Sequence, residues 1–171
     1  LDSHTTRAYW TYGDPSTRRS GEGVYVFGPR TKLVNLVVHD AQDGIFMAEN
    51  AIDAEVYGLV VYNNGHVDPV RGHGHGLYIQ NNTGTKKITD VVSFNNFAMG
   101  MKGFGERGPA NNLEFQGVMS FNNASPAVFP GNPANEAGNF RETNLFVGTA
   151  VSGTRNTLVS NNFVYHKWDT M

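Results

Sequence analysis

An apolar strand, a polar pair and a second apolar strand recur along this chain. The first strand with its pair reads Leu36-Val37-Val38-His39-Asp40, Val60-Val61-Tyr62-Asn63-Asn64, Val92-Ser93-Phe94-Asn95-Asn96, Met119-Ser120-Phe121-Asn122-Asn123 and Leu158-Val159-Ser160-Asn161-Asn162. The second members of the pairs stand 24, 32, 27 and 39 residues apart, and the widest gap has room for one irregular coil around Leu145-Phe146-Val147. The second strand follows as Gly44-Ile45-Phe46-Met47, Gly76-Leu77-Tyr78-Ile79, Gly100-Met101-Lys102-Gly103 and Ala127-Val128-Phe129-Pro130, with Gly23-Val24-Tyr25-Val26 supplying the coil before. Variable spacing around a constant kernel marks a solenoid, in which extra residues leave as loops while each coil keeps its register. No segment has a helical period. Hairpin signals of a β-sandwich, the alternative fold, are confined to Asn64-Gly65.

The pattern predicts an all-β chain folded as a right-handed parallel β-helix of about six coils. The pairs sit where each coil bends, because asparagine tolerates the left-handed backbone best after glycine and His39-Asp40 shares that tendency. Asparagines one coil apart then stack as a hydrogen-bonded ladder. Period-2 alternation is read as pointing Leu36, Val60, Val92, Met119 and Leu158 inward, with Val38, Tyr62, Phe94 and Phe121. Val37, Val61, Ser93, Ser120 and Val159 then face out. In the second strand Val24, Ile45, Leu77, Met101 and Val128 face in.

Composition narrows the setting. The chain has 171 residues, 20 glycines, 16% charged residues, a net charge of −2 and no cysteine. One domain is expected: residues 1–22 as an N-terminal segment that caps the first coil with Trp10 and Tyr12, and 23–171 as the β-helix. Without a basic stripe, nucleic acid is not the expected partner. Without cysteine there is no disulfide framework and no Cys-ligated zinc. No run reaches the ~18 apolar residues of a membrane span, and no signal-peptide core is present. The chain opens at Leu1 without methionine, which reads as a processed protein or a piece of a longer one. Low charge and zero cysteine fit a secreted or cell-surface protein of bacterial type. Phe163-Val164-Tyr165-His166-Lys167-Trp168 has no obvious cap after it, so further chain, end-to-end self-association or a larger assembly is expected to cover that end.

The kernel Gly76-Leu77-Tyr78-Ile79-Gln80-Asn81 leading to Ile88-Thr89-Asp90-Val91-Val92-Ser93-Phe94-Asn95-Asn96 resembles the parallel β-helix repeat of the pectate-lyase-like superfamily. The string from Thr31-Lys32-Leu33-Val34-Asn35-Leu36 through Arg71-Gly72-His73-Gly74-His75-Gly76 is similar to bacterial right-handed β-helix repeat proteins of mostly undefined activity. The likeness covers residues 23–166 and lies in the repeat. It implies polysaccharide chemistry: lyases, hydrolases, epimerases and non-catalytic sugar binders. Gly-His-Gly, a polygalacturonase motif, occurs at 72–74 and 74–76. The paired aspartates, Asn-Thr-Asp and Arg-Ile-Lys that accompany it are missing, as are the clustered acids of calcium pectate lyases. No catalytic residue is carried over from either family.

Candidate chemistry therefore comes from the residues. Tyr25, Phe46, Tyr78, Lys102 and Phe129 fall in one outward row, a ladder of rings broken by an ammonium that can meet sugar faces and a uronate or sulfate. Such a row is as readily a sheet stabiliser. The 65–75 insertion beside it carries Asp68, Arg71, His73 and His75, and long loops on a rigid solenoid commonly hold function. For β-elimination, Arg71 and Lys102 would neutralise the carboxylate while His73, His75 or Tyr78 moves protons, with Glu49 contributing from the neighbouring coil. His73 and His75 are spaced to share one side of an extended strand and to reach a metal with His66 or Asp68, although no clear third ligand follows. Lys102, Glu106 and Arg107 read as solvated. Asp40, Asp43 and Asp53 suggest calcium only in composition, without EF-type spacing. No cofactor is assigned. The leading expectation is a carbohydrate-active β-helix binding an acidic polysaccharide and, in the catalytic case, a polysaccharide lyase ahead of a glycoside hydrolase. The alternative is a non-catalytic sugar-binding or scaffold module. An ice-binding solenoid would need an exposed threonine row, which is absent.

Overall fold

A computed structural model describes residues 21–67, 72–106, 108–124, 143–151 and 153–166. The N-terminal segment through residue 20, Asp68, Arg71, Arg107 and Phe129 lie outside the described residues. Three-strand coils repeat five times. The first is β1 (Val24–Val26), β2 (Lys32–Val34) and β3 (Val37–His39); the second is β4 (Ile45–Met47), β5 (Glu55–Tyr57) and β6 (Val60–Tyr62). A short antiparallel hairpin, β7 (His66–Val67) and β8 (Gly72–His73), leaves the stack before the third coil. That coil is β9 (Leu77–Ile79), β10 (Lys86–Thr89) and β11 (Val92–Phe94). The fourth is β12 (Met101–Gly105), β13 (Leu113–Gln116) and β14 (Met119–Phe121), and the fifth β15 (Leu145–Thr149), β16 (Leu158–Ser160) and β17 (Phe163–Tyr165).

Equivalent strands pair in parallel and form three five-stranded sheets, in the orders β1-β4-β9-β12-β15, β2-β5-β10-β13-β16 and β3-β6-β11-β14-β17. This is a right-handed parallel β-helix, the hand that parallel crossovers adopt. Its core is one column of apolar side chains, among them Ile45, Val56, Leu77, Ile88, Met101 and Phe115.

Left-handed residues turn the chain at the corners of each coil: Arg30, Asp53, Gly84, Asn112 and Asn156 precede the second-sheet strands. Asn35, Gly58, Asp90, Gly117 and Asn161 lie between the second and third sheets, and Asp40, Asn63, Asn95 and Asn122 follow the third, all with φ between 51° and 66°. Asn63, Asn95 and Asn122 are therefore superposed. The next residue in each turn is buried: Asn64 and Asn96 donate through Nδ2 to the Oδ1 of Asn96 and Asn123 at 3.0 and 2.8 Å. Asn123 donates to Asn144 at 2.9 Å, and Asn144 closes the ladder on the Tyr165 carbonyl at 3.0 Å. Each rung also accepts a backbone N–H, so amides taken out of water keep their partners.

Three expectations change. The described residues make five coils: β15 pairs directly with β12, so Leu145-Phe146-Val147 is a regular first-sheet strand. Residues 158–160 pair with β13 in the second sheet, and the third-sheet strand of that coil is Phe163–Tyr165. The first-coil register also moves by one, since Val37, Val38 and His39 stand beside Val60, Val61 and Tyr62; Ala41, not Asp40, meets the ladder.

The facing of the third sheet is the larger correction. In the first coil Val37 faces out and Val38 in, as expected, but in the next three coils the facing is reversed: Val61, Ser93 and Ser120 are buried and Met119 is exposed. Ser93 and Ser120 belong inside because each hydroxyl donates to a carbonyl, Gly100 at 3.0 Å and Asn144 at 2.7 Å, and accepts from a ladder asparagine. The rings of His39, Tyr62, Phe94 and Phe121 stand outside in one stack, centroids 5.0 to 5.2 Å apart and planes within 15°. On the second sheet, Lys32, Glu55, Lys87 and Glu114 alternate in sign along one row, with Lys32 paired to Glu55 at 3.0 Å.

Candidate functional site on the first sheet

The first sheet enters the first four coils on a glycine, and the fifth on the ladder residue Asn144. A Cβ on Gly76 would lie 2.5 Å from the Gly100 carbonyl and 2.8 Å from Asn96 Nδ2, so the ladder and the start of the strand fit together only without a side chain. The next residue faces the core, and the one after it faces out. Register places Tyr25, Phe46, Tyr78, Lys102 and Phe146 in one outward row. Its fifth member is Phe146.

Tyr25, Phe46 and Tyr78 meet edge to face at 4.9 and 5.1 Å, an arrangement that leaves parts of ring faces uncovered. Exposure is uneven: Tyr25 is 56% exposed, whereas Tyr78 is 8% and Lys102 9%. The Lys102 ammonium sits 4.5 Å from the Tyr78 ring centroid and 4.7 Å from that of Phe104, held by two ring faces at once. Phe104 in turn touches Phe146 at 5.8 Å.

Titratable groups gather around Tyr78. Its hydroxyl donates to Glu106 Oε1 at 2.7 Å, and burial together with that bond pushes its pKa above the ordinary phenol value. The His75 ring packs on Tyr78 at 5.5 Å. His75 Nδ1 accepts the Met99 N–H at 3.2 Å, so in the neutral ring Nε2 carries the proton. The His75 backbone N–H donates to Asp43 Oδ1 at 2.6 Å. Burial raises the Asp43 carboxyl to about 6, against the pull of that N–H and of Lys102.

Beyond Glu106, at the corner between the first and second sheets, lies a cavity of about 220 Å³ lined by Glu49, Gln80, Asn81, Glu106 and Pro109 among others. Asn81 is fully buried and spends its Nδ2 on the Gly84 and Asn111 carbonyls at 3.1 and 2.7 Å, while its Oδ1 accepts nothing. Beneath the corner, Lys86 is fully buried and donates to the Ala48 and Gln80 carbonyls at 2.6 and 2.5 Å. Burial lowers its pKa to about 8 despite Glu49.

Of the residues named from sequence, Tyr25, Phe46, Tyr78, Lys102 and His75 come together, and Glu49 faces Glu106 across the corner cavity. His73 does not share their row: it ends β8 opposite His66, and Gly74 at φ 88° breaks the extended alternation that would put both histidines on one side. Among the described residues no group of three or more His, Asp or Glu is placed to hold a metal ion. Asp43, Asn81, Phe104 and Glu106 are functional candidates that sequence reasoning passed over or set aside. Asp43 was within reach, because it precedes Gly44 as His75 precedes Gly76, which makes the two neighbours across adjacent coils. Glu106 was read from sequence as solvated; it is exposed, and what the sequence did not show is its bond to the Tyr78 hydroxyl one coil away.

No family model, curated protein or solved structure matches this chain. The geometry is therefore what bears on function.

Proposed function

We propose that this β-helix binds a polysaccharide along the outer face of its first sheet. One observation carries the reading: edge-to-face rings at Tyr25 and Phe46 lead in register to buried Tyr78 and Lys102, with exposed Glu106 bonded to the Tyr78 hydroxyl beside a corner cavity rich in acceptors. Sugar units bring apolar ring faces and hydroxyl donors together, and aromatic residues with a polar neighbour meet both. The repeat's similarity to the pectate-lyase-like superfamily points the same way, and such a ligand belongs to an extracellular or cell-surface setting.

The test is affinity electrophoresis against a panel of neutral and charged polysaccharides. At least one should retard the protein; Phe46→Ala should weaken that retardation about tenfold, near 1.4 kcal/mol, while Phe94→Ala on the third sheet leaves it unchanged. Equal loss from both variants, or no retardation by any polymer, removes the proposal.

A second, catalytic reading is β-elimination, favoured by the Asp43 carboxyl poised at about 6 near Lys102. His75 and Tyr78 suit it less well as bases, because His75 Nδ1 is occupied and Tyr78 holds its proton more tightly than usual. Asp43 would take the proton alpha to the carboxylate that Lys102 faces, the freed electron pair would form the C4=C5 double bond as the C4–O bond breaks, and the departing glycosidic oxygen would take a proton from water. New absorbance in the unsaturated-uronate band on anionic polysaccharides, lost in Lys102→Ala, would support it. No product from any of them eliminates this reading and leaves binding untouched.

A further inference from the structure

The corner cavity offers acceptors to whatever enters it. Asn81 Oδ1 is buried without a hydrogen bond while both Asn81 donors are spent on backbone carbonyls, so the free valence there is an acceptor's. Glu49 and Glu106 add two carboxylates at the rim, and only one Glu106 oxygen is engaged, by the Tyr78 hydroxyl. A buried acceptor left unpaired costs about 1–3 kcal/mol, which a donor from a ligand would recover.

The charges say which donor. A uronate or sulfate would bring a third anion up to Glu49 and Glu106. The nearby cations are already engaged: the Lys86 ammonium feels Glu49 but donates to the Ala48 and Gln80 carbonyls, and that of Lys102 lies between two rings. A divalent cation fares no better, because the cavity has two carboxylates and the Lys86 ammonium already holds the Gln80 carbonyl. Hydroxyl groups satisfy these acceptors without adding charge, and Pro109 gives a sugar's apolar side something to rest on.

Resting on the polysaccharide-binding reading above, we propose that the cavity between Glu49, Asn81 and Glu106 is a subsite for an uncharged sugar unit, held through hydroxyls donated to Asn81 Oδ1 and the two carboxylates. The ligand is then neutral at this position, and the site discriminates against uronates.

Affinity electrophoresis with polymers that differ in charge tests this: polygalacturonate in methyl-esterified and de-esterified forms, a neutral β-glucan, a neutral galactomannan, chondroitin sulfate and chitosan. A neutral polymer should bind, at least tenfold more tightly than any anionic one, and Glu49→Gln and Glu106→Gln should each weaken it about tenfold. Glu49 is exposed and its variant keeps every bond described here, so it serves if Glu106→Gln, which touches Tyr78, fails to fold. A preference for an anionic polymer, tightened by either Gln variant, overturns the neutral-sugar subsite while polysaccharide binding stands. Retardation by chitosan alone overturns it too, since the cavity would then be reading an ammonium. No retardation by any polymer takes down the binding reading itself, and this subsite with it.

Discussion

Two shifted ionisable side chains, part-buried Asp43 and fully buried Lys86, contribute to the pH response of this protein in opposite windows. Asp43 titrates near 6 when folded and near 3.9 when unfolded. Between these values the folded state holds the extra proton, so stability falls as pH rises from about 4 to 6, by about 3 kcal/mol once ionisation is complete. Asp43→Asn keeps an oxygen for the His75 N–H and should abolish that decline, with urea midpoints at pH 4 and 7 as the readout; an unchanged slope would sink the assignment. Lys86 is the reverse case. Its folded value near 8 lies below the ordinary 10.5, so the unfolded chain binds more protons between those limits. Stability therefore rises across pH 8 to 10.5, again by about 3 kcal/mol. Lys86→Met should remove the rise, whatever the loss of its two carbonyl contacts does to the absolute value. Neither residue stood out in the sequence. Lys86 opens Lys86-Lys87-Ile88, and its neighbour carries the same charge in solvent; only the strand's phase, set by Ile88 facing the core, separates them.

At the scale of the strand and turn, much was legible, because the backbone needs left-handed residues at fixed places and few residue types adopt them. The Asn-Asn pairs marked the corners, and the glycines marked the tight starts of the first-sheet strands. Facing in the third sheet was not legible. Val37-Val38 and Val60-Val61 are apolar on both sides, so alternation carries no polarity there, and a rule that puts rings inside misreads Ser93-Phe94 and Ser120-Phe121. Burial of the serines depends on ladder asparagines and carbonyls from the next coil, partners a single strand does not display. The two asparagines of a pair therefore differ in kind. Asn95 supplies a φ of 54°, and Asn95→Gly should alter stability by less than about 1 kcal/mol. Asn96 is a rung, and Asn96→Ala strips the Asn64 N–H and side chain of their acceptor in a buried site, at a cost of about 2–4 kcal/mol. Thermal melts of the two variants should separate widely; similar melting temperatures would mean that the ladder contributes little.

Apart from the β7–β8 hairpin, each described strand pairs only with its equivalents one coil away, so stability propagates along a line. The sequence disclosed that line but miscounted it, because Leu158-Val159-Ser160-Asn161-Asn162 imitates the third-sheet string while occupying the second sheet. Asn161 there has the same left-handed φ as the true corner residues, and only the following Phe163-Val164-Tyr165 shows which turn it is. The two ends of the line also differ. In the first coil Val26 and Val38 are buried, whereas in the fifth Val159 and Val164, which stand beside buried Phe115 and Ser120, are 51% and 50% exposed. Among the described residues β16 and β17 pair on one side only and their inward side chains are the less covered of the two ends, so they have the least to lose by opening. Amide exchange should therefore be slowest in the third and fourth coils, at β9 to β13, and fastest at β16 and β17. Asn96→Ala should speed exchange most on its two flanking coils, with the effect fading toward β1, because the broken rung is felt only through neighbours. Uniform exchange across all five coils, in the parent or the variant, would instead mean that the stack opens as one body and that coil-to-coil coupling exceeds anything the rung supplies.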